Sequence, residues 1–153
     1  MEGGVGSWLL LLDFDGVITR LDLDWGKIRE EVGRAVGRRI SSLNEFFEES
    51  YGTDEFAVAH SIVESHELEA IKNAKPIDEA VALLRASTPV MISTMQSERA
   101  VEEFLAINGL DTSKCMRFGF RCVLMRGEVL RLITELASSS RSNPCDAVSQ
   151  RVR

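Results

Sequence analysis

Two aspartates separated by one residue, Asp13 and Asp15, stand directly after the apolar run Trp8 to Leu12 and directly before Gly16. Strand side chains alternate with period two, so carboxylates two apart at a strand end point the same way and reach one site. Such a pair can divide labour. One carboxylate attacks phosphorus to form an aspartyl-phosphate, while the other protonates the leaving oxygen and later activates water. Two carboxylates beside a phosphate repel it, which calls for a divalent cation, and hard oxygen ligands next to phosphate select Mg²⁺. Gly16 permits the tight turn that follows. An Asp-x-Asp-Gly string taken alone is most often a solvated turn, because Asp and Gly are turn formers. Its place after a run of four leucines favours the phosphoryl site.

The elements that position these groups follow from hydrophobic periodicity. Ser7 to Leu12 reads as a strand buried on both faces of a parallel sheet, and open α/β sheets bind ligands at the carboxyl ends of their strands. From Trp25 to about Lys72 the pattern is amphipathic helix, with Ile28, Val32, Ala35 and Val36 on one face, then Leu43, Phe46 and Phe47, then Ile62 and Val63. Gly52 and Thr53 interrupt it. Residues 20–75 are therefore expected to form a small helical insertion covering the site. Asp22 and Asp24 read as caps for its first helix, and Trp25, Phe46, Phe47 and Phe56 as packing residues.

Pro76 is expected to open a helix over Ile77 to Leu84. Thr88 to Ser93 reads as the next strand, ending in the hydroxyls of Ser93 and Thr94. A helix from Glu98 to about Ile107 follows, closed by Asn108-Gly109. Arg121 to Met125 is a weaker third strand with a helix from Glu128 to Ala137 behind it, and residues 138–153, rich in Ser, Arg and Asn, read as a frayed tail. The alternation predicts an α/β fold: an incomplete Rossmann-like α/β/α core of about three to four parallel strands, formed by residues 1–19 and 76–153 and carrying the helical insertion.

Composition narrows the function. A chain of 153 residues, 44% apolar and 27% charged, suits one compact domain or a core with a small inserted subdomain. The net charge of −6 argues against a sequence-independent grip on nucleic acid, although a local pocket of Arg could still hold a small anion. Trp8 to Leu12 is too short for a membrane span or signal-peptide core, so a cytoplasmic protein is expected. Cys115, Cys122 and Cys145 include no CxxC pair, which points to reduced thiols. His60 and His66 lack a third ligand at metal spacing and read as ordinary helix residues.

The string Leu9 to Thr19, with Asp13-Phe14-Asp15-Gly16 at its centre, resembles the first motif of the haloacid dehalogenase-like hydrolases. The resemblance implies that Asp13 is the nucleophile and a Mg²⁺ ligand, and that Asp15 is the acid/base whose backbone carbonyl also binds Mg²⁺. Pro89 to Thr94, followed by Ala100 to Leu105 and Gly109-Leu110, resembles the second motif, with Thr94 the better match for the phosphate-binding hydroxyl and Ser93 the second choice. Gly16 completes the implied phosphate site. Family members commonly carry Asn after this hydroxyl, where this chain has Met95. Glu67 to Ile77 is similar to the end of the small helical cap of phosphoglycolate-phosphatase-like members.

These matches cover about the first two thirds of the chain, Ser7 to Leu110. For the third motif the nearest match to the family's lysine is Arg126, whose planar guanidinium holds oxygens differently; Lys114 is a poorer alternative. Taken alone, Arg126 reads as a solvated surface residue. The fourth motif, which completes the Mg²⁺ site, is matched only by Cys145-Asp146-Ala147-Val148-Ser149-Gln150, making Asp146 the candidate ligand. The implied activity is a Mg²⁺-dependent phosphomonoesterase acting on a small phosphorylated metabolite. The alternative is a degenerate member that binds a phosphate compound or a protein partner without turning it over.

Overall fold

In a computed structural model of the protein, the structure describes residues 10–86, 90–110 and 121, together with the backbone of 116–119. Arg126, Asp146, Lys114, the three cysteines, the expected helix from Glu128 to Ala137 and the tail 138–153 lie outside the described residues. The elements run β1 (Leu10–Leu12), α1 (Trp25–Val36), α2 (Leu43–Ser50), α3 (Asp54–Ile71), α4 (Asp78–Arg85), β2 (Val90–Ser93), α5 (Glu98–Ile107) and β3 (Met116–Gly119).

The described strands form a parallel sheet in the order β1-β2-β3, with Leu12 opposite Ile92 and Ser93 opposite Gly119. The chain is therefore mixed α/β. Parallel neighbours need crossovers, and here α1 to α4 lie between β1 and β2 while α5 lies between β2 and β3. Among the described residues no helix is long and apolar enough to cross a membrane.

Local chemistry accounts for the helix ends. Asp24, Ser42, Thr53 and Ser97 each accept an N–H of the first turn through their side chains, at the starts of α1, α2, α3 and α5 respectively. Gly37 ends α1 at φ 73°, a left-handed conformation that side chains with a Cβ resist.

Two clusters of buried side chains result. One lies against the sheet and includes Leu12, Phe14, Ile18, Ile71, Leu84, Val90, Ile92, Val101, Phe104 and Leu105. Within it the rings of Phe14 and Phe104 meet edge to face, 5.2 Å between centroids. The other, formed by Ile28, Val32, Ile40, Phe46, Phe47, Phe56, Ala59 and Val63, holds α1, α2 and α3 together. The chain enters and leaves these three helices at one doorway. Thr19, fully buried, donates its hydroxyl to the Lys75 carbonyl at 2.8 Å, and the Ile77 N–H donates to the Ile18 carbonyl at 2.8 Å.

Four expectations are corrected. Leu11 is 48% exposed, so β1, an edge of the described sheet, is not buried on both faces. Pro76 lies outside the helix it was expected to open: it bridges Thr19 at the doorway and α4 begins at Asp78. Met116–Gly119 forms a strand where none was expected, and Arg121, read as the first residue of a strand, lies outside any strand with its side chain buried, while residues 122–125 lie outside the described residues. Trp25 is 41% exposed and fills no core, because the buried face of α1 is set by Ile28 and Val32.

Candidate active site

The carboxyl ends of β1 and β2 converge on one cavity of about 320 Å³, lined by Asp13, Asp15, Ser93, Thr94, Met95 and Gln96. Asp13 is exposed, Asp15 and Ser93 are half-buried and Thr94 is buried. A single tight turn arranges the acidic pair: the Phe14 carbonyl accepts from Ile18 and Thr19, and the Gly16 N–H donates to the Thr19 carbonyl at 2.7 Å. Gly16 adopts φ 87°, which is why a glycine stands here. The Phe14 N–H donates to Asp13 Oδ1 at 2.7 Å, and the Leu21 N–H donates to Asp15 Oδ1 at 2.9 Å. Each carboxyl is thus held by one oxygen, and among the described residues no hydrogen bond engages the other.

Thr94 opens the loop between β2 and α5. Its hydroxyl donates to Gln96 Oε1 and accepts from the Gln96 N–H at 3.3 Å. To bind a phosphoryl oxygen, this hydroxyl must exchange its bond to the Gln96 carboxamide for one to the ligand. Gln96 is a buried lining residue that the sequence reading missed.

Behind the loop lies a buried charge pair that the sequence reading also missed. Glu67 of α3 and Arg121 pair at 0% and 2% side-chain exposure. Glu67 Oε2 accepts the Ser97 N–H at 3.1 Å, Arg121 Nε donates to the Met95 carbonyl at 3.0 Å, and the Arg121 N–H donates to the Gln96 carbonyl at 3.3 Å. The Arg121 guanidinium also lies 4.8 Å from the centroid of the Phe47 ring and donates to His60 Nδ1 at 2.9 Å. Arginine can only donate, so His60 Nδ1 is the acceptor and its ring proton sits on Nε2, facing Glu64 at 3.5 Å. Burial pushes the Glu67 carboxyl up, against the pull of Arg121. Burial and then the charge of Arg121 hold His60 below its ordinary value, against Glu64.

Glu67 carried a readable signal. Ala59, Val63, Glu67 and Ile71 recur every four residues along α3 and are all buried, so the glutamate occupies the apolar stripe.

A second cavity of about 450 Å³ shares Met95 and Gln96 with the first and is lined beyond them by Trp25, Arg29, Ser41, Asn44 and Phe47, among others.

For the metal, the donors at hand are the carboxylates and backbone oxygens of Asp13 and Asp15, all hard oxygens. Mg²⁺ characteristically binds one or two carboxylates and completes its shell with water and substrate phosphate, so these donors fit it. Among the described residues no cluster of three or more His, Cys, Asp and Glu side chains is placed to hold a metal ion. No protein-family model, curated protein or solved structure matches this chain.

Proposed function

We propose that this protein is a phosphomonoesterase of the haloacid dehalogenase-like type, with a Rossmann-like core and a helical cap, that hydrolyses a small phosphorylated metabolite through Asp13. One observation carries the reading. Asp13 and Asp15 from the end of β1, and Ser93 and Thr94 from the end of β2, line a single cavity although they are far apart in sequence.

Asp13, exposed and held by one oxygen, attacks phosphorus with the other, and the P–O bond to the leaving group breaks. Asp15 delivers a proton to the departing alkoxide, then takes one from the water that hydrolyses the aspartyl-phosphate. Thr94 donates to a phosphoryl oxygen once its hydroxyl leaves Gln96. Mg²⁺, held by Asp13 and Asp15 with water completing its shell, would offset the repulsion between carboxylates and phosphate. Positioning and charge stabilisation account for most of the rate in such chemistry. The adjoining cavity gives the leaving group room beside Met95 and Gln96.

The test is release of inorganic phosphate from an aryl phosphate with and without Mg²⁺. Turnover that requires Mg²⁺ supports the reading. No turnover, together with very weak Mg²⁺ binding by calorimetry, would favour instead a degenerate module that binds a phosphate compound or a protein partner without turnover, whereas tight binding that depends on Asp13 would count against degeneracy.

A further inference from the structure

We infer that the buried Glu67–Arg121 pair positions the phosphate-binding loop, so that a helix of the insertion sets the placement of Thr94. The inference rests on the phosphatase reading for its consequence in rate, but not for its geometry.

Residues 94–97 are short of regular backbone partners, since β2 ends at Ser93 and α5 begins at Glu98. Buried peptide groups in such a stretch must find partners elsewhere. Two find them in the side chains of this pair and a third in the Arg121 main chain. The Met95 carbonyl is bound by the Arg121 side chain, the Gln96 carbonyl by the Arg121 N–H and the Ser97 N–H by Glu67. The loop is therefore gripped at three successive residues, immediately after Thr94, which lines the cavity.

The grip is rigid for a reason of charge. Without Arg121 the fully buried Glu67 carboxylate would lose its counter-ion in the interior, a strongly unfavourable state. Every buried side-chain nitrogen and oxygen among the described residues has a partner, so the network is complete as it stands. A pair that served only to fasten α3 to the core would need no contact with the loop backbone. This one directs two side-chain contacts there, Arg121 to the Met95 carbonyl and Glu67 to the Ser97 N–H.

A structural role and a positioning role predict different outcomes when the whole pair is replaced by apolar side chains. Glu67→Leu/Arg121→Met removes both charges together, a replacement that is often neutral or stabilising for folding. Glu67→Gln alone removes the carboxylate that neutralises Arg121 and is expected to lower the melting temperature. For the double variant, at a temperature where it is folded, kcat for an aryl phosphate with Mg²⁺ is expected to fall by about 100-fold with KM little changed. Exchange of the Gln96 amide proton, followed by NMR, is expected to accelerate, although its acceptor Thr94 Oγ1 is untouched by the substitutions.

Wild-type kcat or wild-type protection of the Gln96 amide in the folded double variant would overturn the inference. Should the wild-type chain release no phosphate, the catalytic reading fails and the exchange measurement alone decides: fast exchange upholds the positioning role, and wild-type exchange refutes it.

Discussion

Leu12 and Ile92 are register partners across the β1–β2 ladder, and the residue after each, Asp13 and Ser93, lines the same cavity. One rung of the parallel sheet therefore delivers a carboxylate and a hydroxyl side by side, and Thr94 and Asp15 follow within two residues. Parallel pairing is what permits this: the carboxyl ends of both strands open on the same edge.

Thr94→Val removes the hydroxyl while keeping the shape of the side chain. On the account above, kcat/KM for an aryl phosphate falls by about 100-fold, the usual loss when one donor to a developing oxyanion is deleted. Thr94→Ser keeps the hydroxyl and most of the rate, and Ser93→Ala has the smaller effect because Thr94 is the main donor. Steady-state kinetics on the three variants checks the ranking, and a Thr94→Val enzyme of full activity would remove Thr94 from the site.

On the proposed mechanism Asp15 has two duties that separate by leaving group. Asparagine can still accept the Leu21 N–H through its side-chain carbonyl, so Asp15→Asn should keep the turn. It cannot donate a proton to an alkoxide. The variant should lose about 10²- to 10⁴-fold in kcat on an alkyl phosphate and much less on an activated aryl phosphate, whose leaving group needs no acid. Equal losses on both substrates would contradict the acid role.

His60 makes stability depend on pH. Burial and Arg121 lower its pKa in the folded state below the ordinary 6.5. Between that lowered value and 6.5 the unfolded chain binds more protons than the folded one, so acid favours unfolding. The contribution is complete above 6.5 and is lost as pH falls through the folded-state value. Glu67, whose folded pKa is raised, acts in the opposite sense, gaining stability as pH falls towards its ordinary 4.5. The difference between wild type and His60→Gln isolates the histidine. Thermal unfolding from pH 7.5 down to pH 5 should show a steeper acid loss in wild type; parallel profiles would show that His60 contributes nothing.

Much of this architecture is readable in the sequence, for physical reasons. The apolar runs ending at Leu12 and Ile92 mark two strands, and the spacing of Ile28 with Val32 and of Phe46 with Phe47 marks the inward faces of α1 and α2. Asp24 was expected to cap α1, and its side chain does so through the Lys27 N–H. The strand Met116–Gly119 is not legible because Met-Arg-Phe-Gly carries no continuous apolar signal. The Glu67–Arg121 pair was missed for another reason. Charged residues are ordinarily solvated, and only tertiary contact between residues 54 apart in sequence reveals that these two neutralise each other. Gln96 escaped notice because its role lies in local hydrogen bonding to Thr94, which no spacing rule encodes.

The most direct measurement is chemical trapping of the intermediate. Wild-type protein mixed with excess aryl phosphate and Mg²⁺, quenched in acid, digested and analysed by mass spectrometry, should yield one phosphoryl group on Asp13. The Asp13→Asn variant should show none and should release no phosphate. Phosphate release at the wild-type rate from Asp13→Asn would contradict the account.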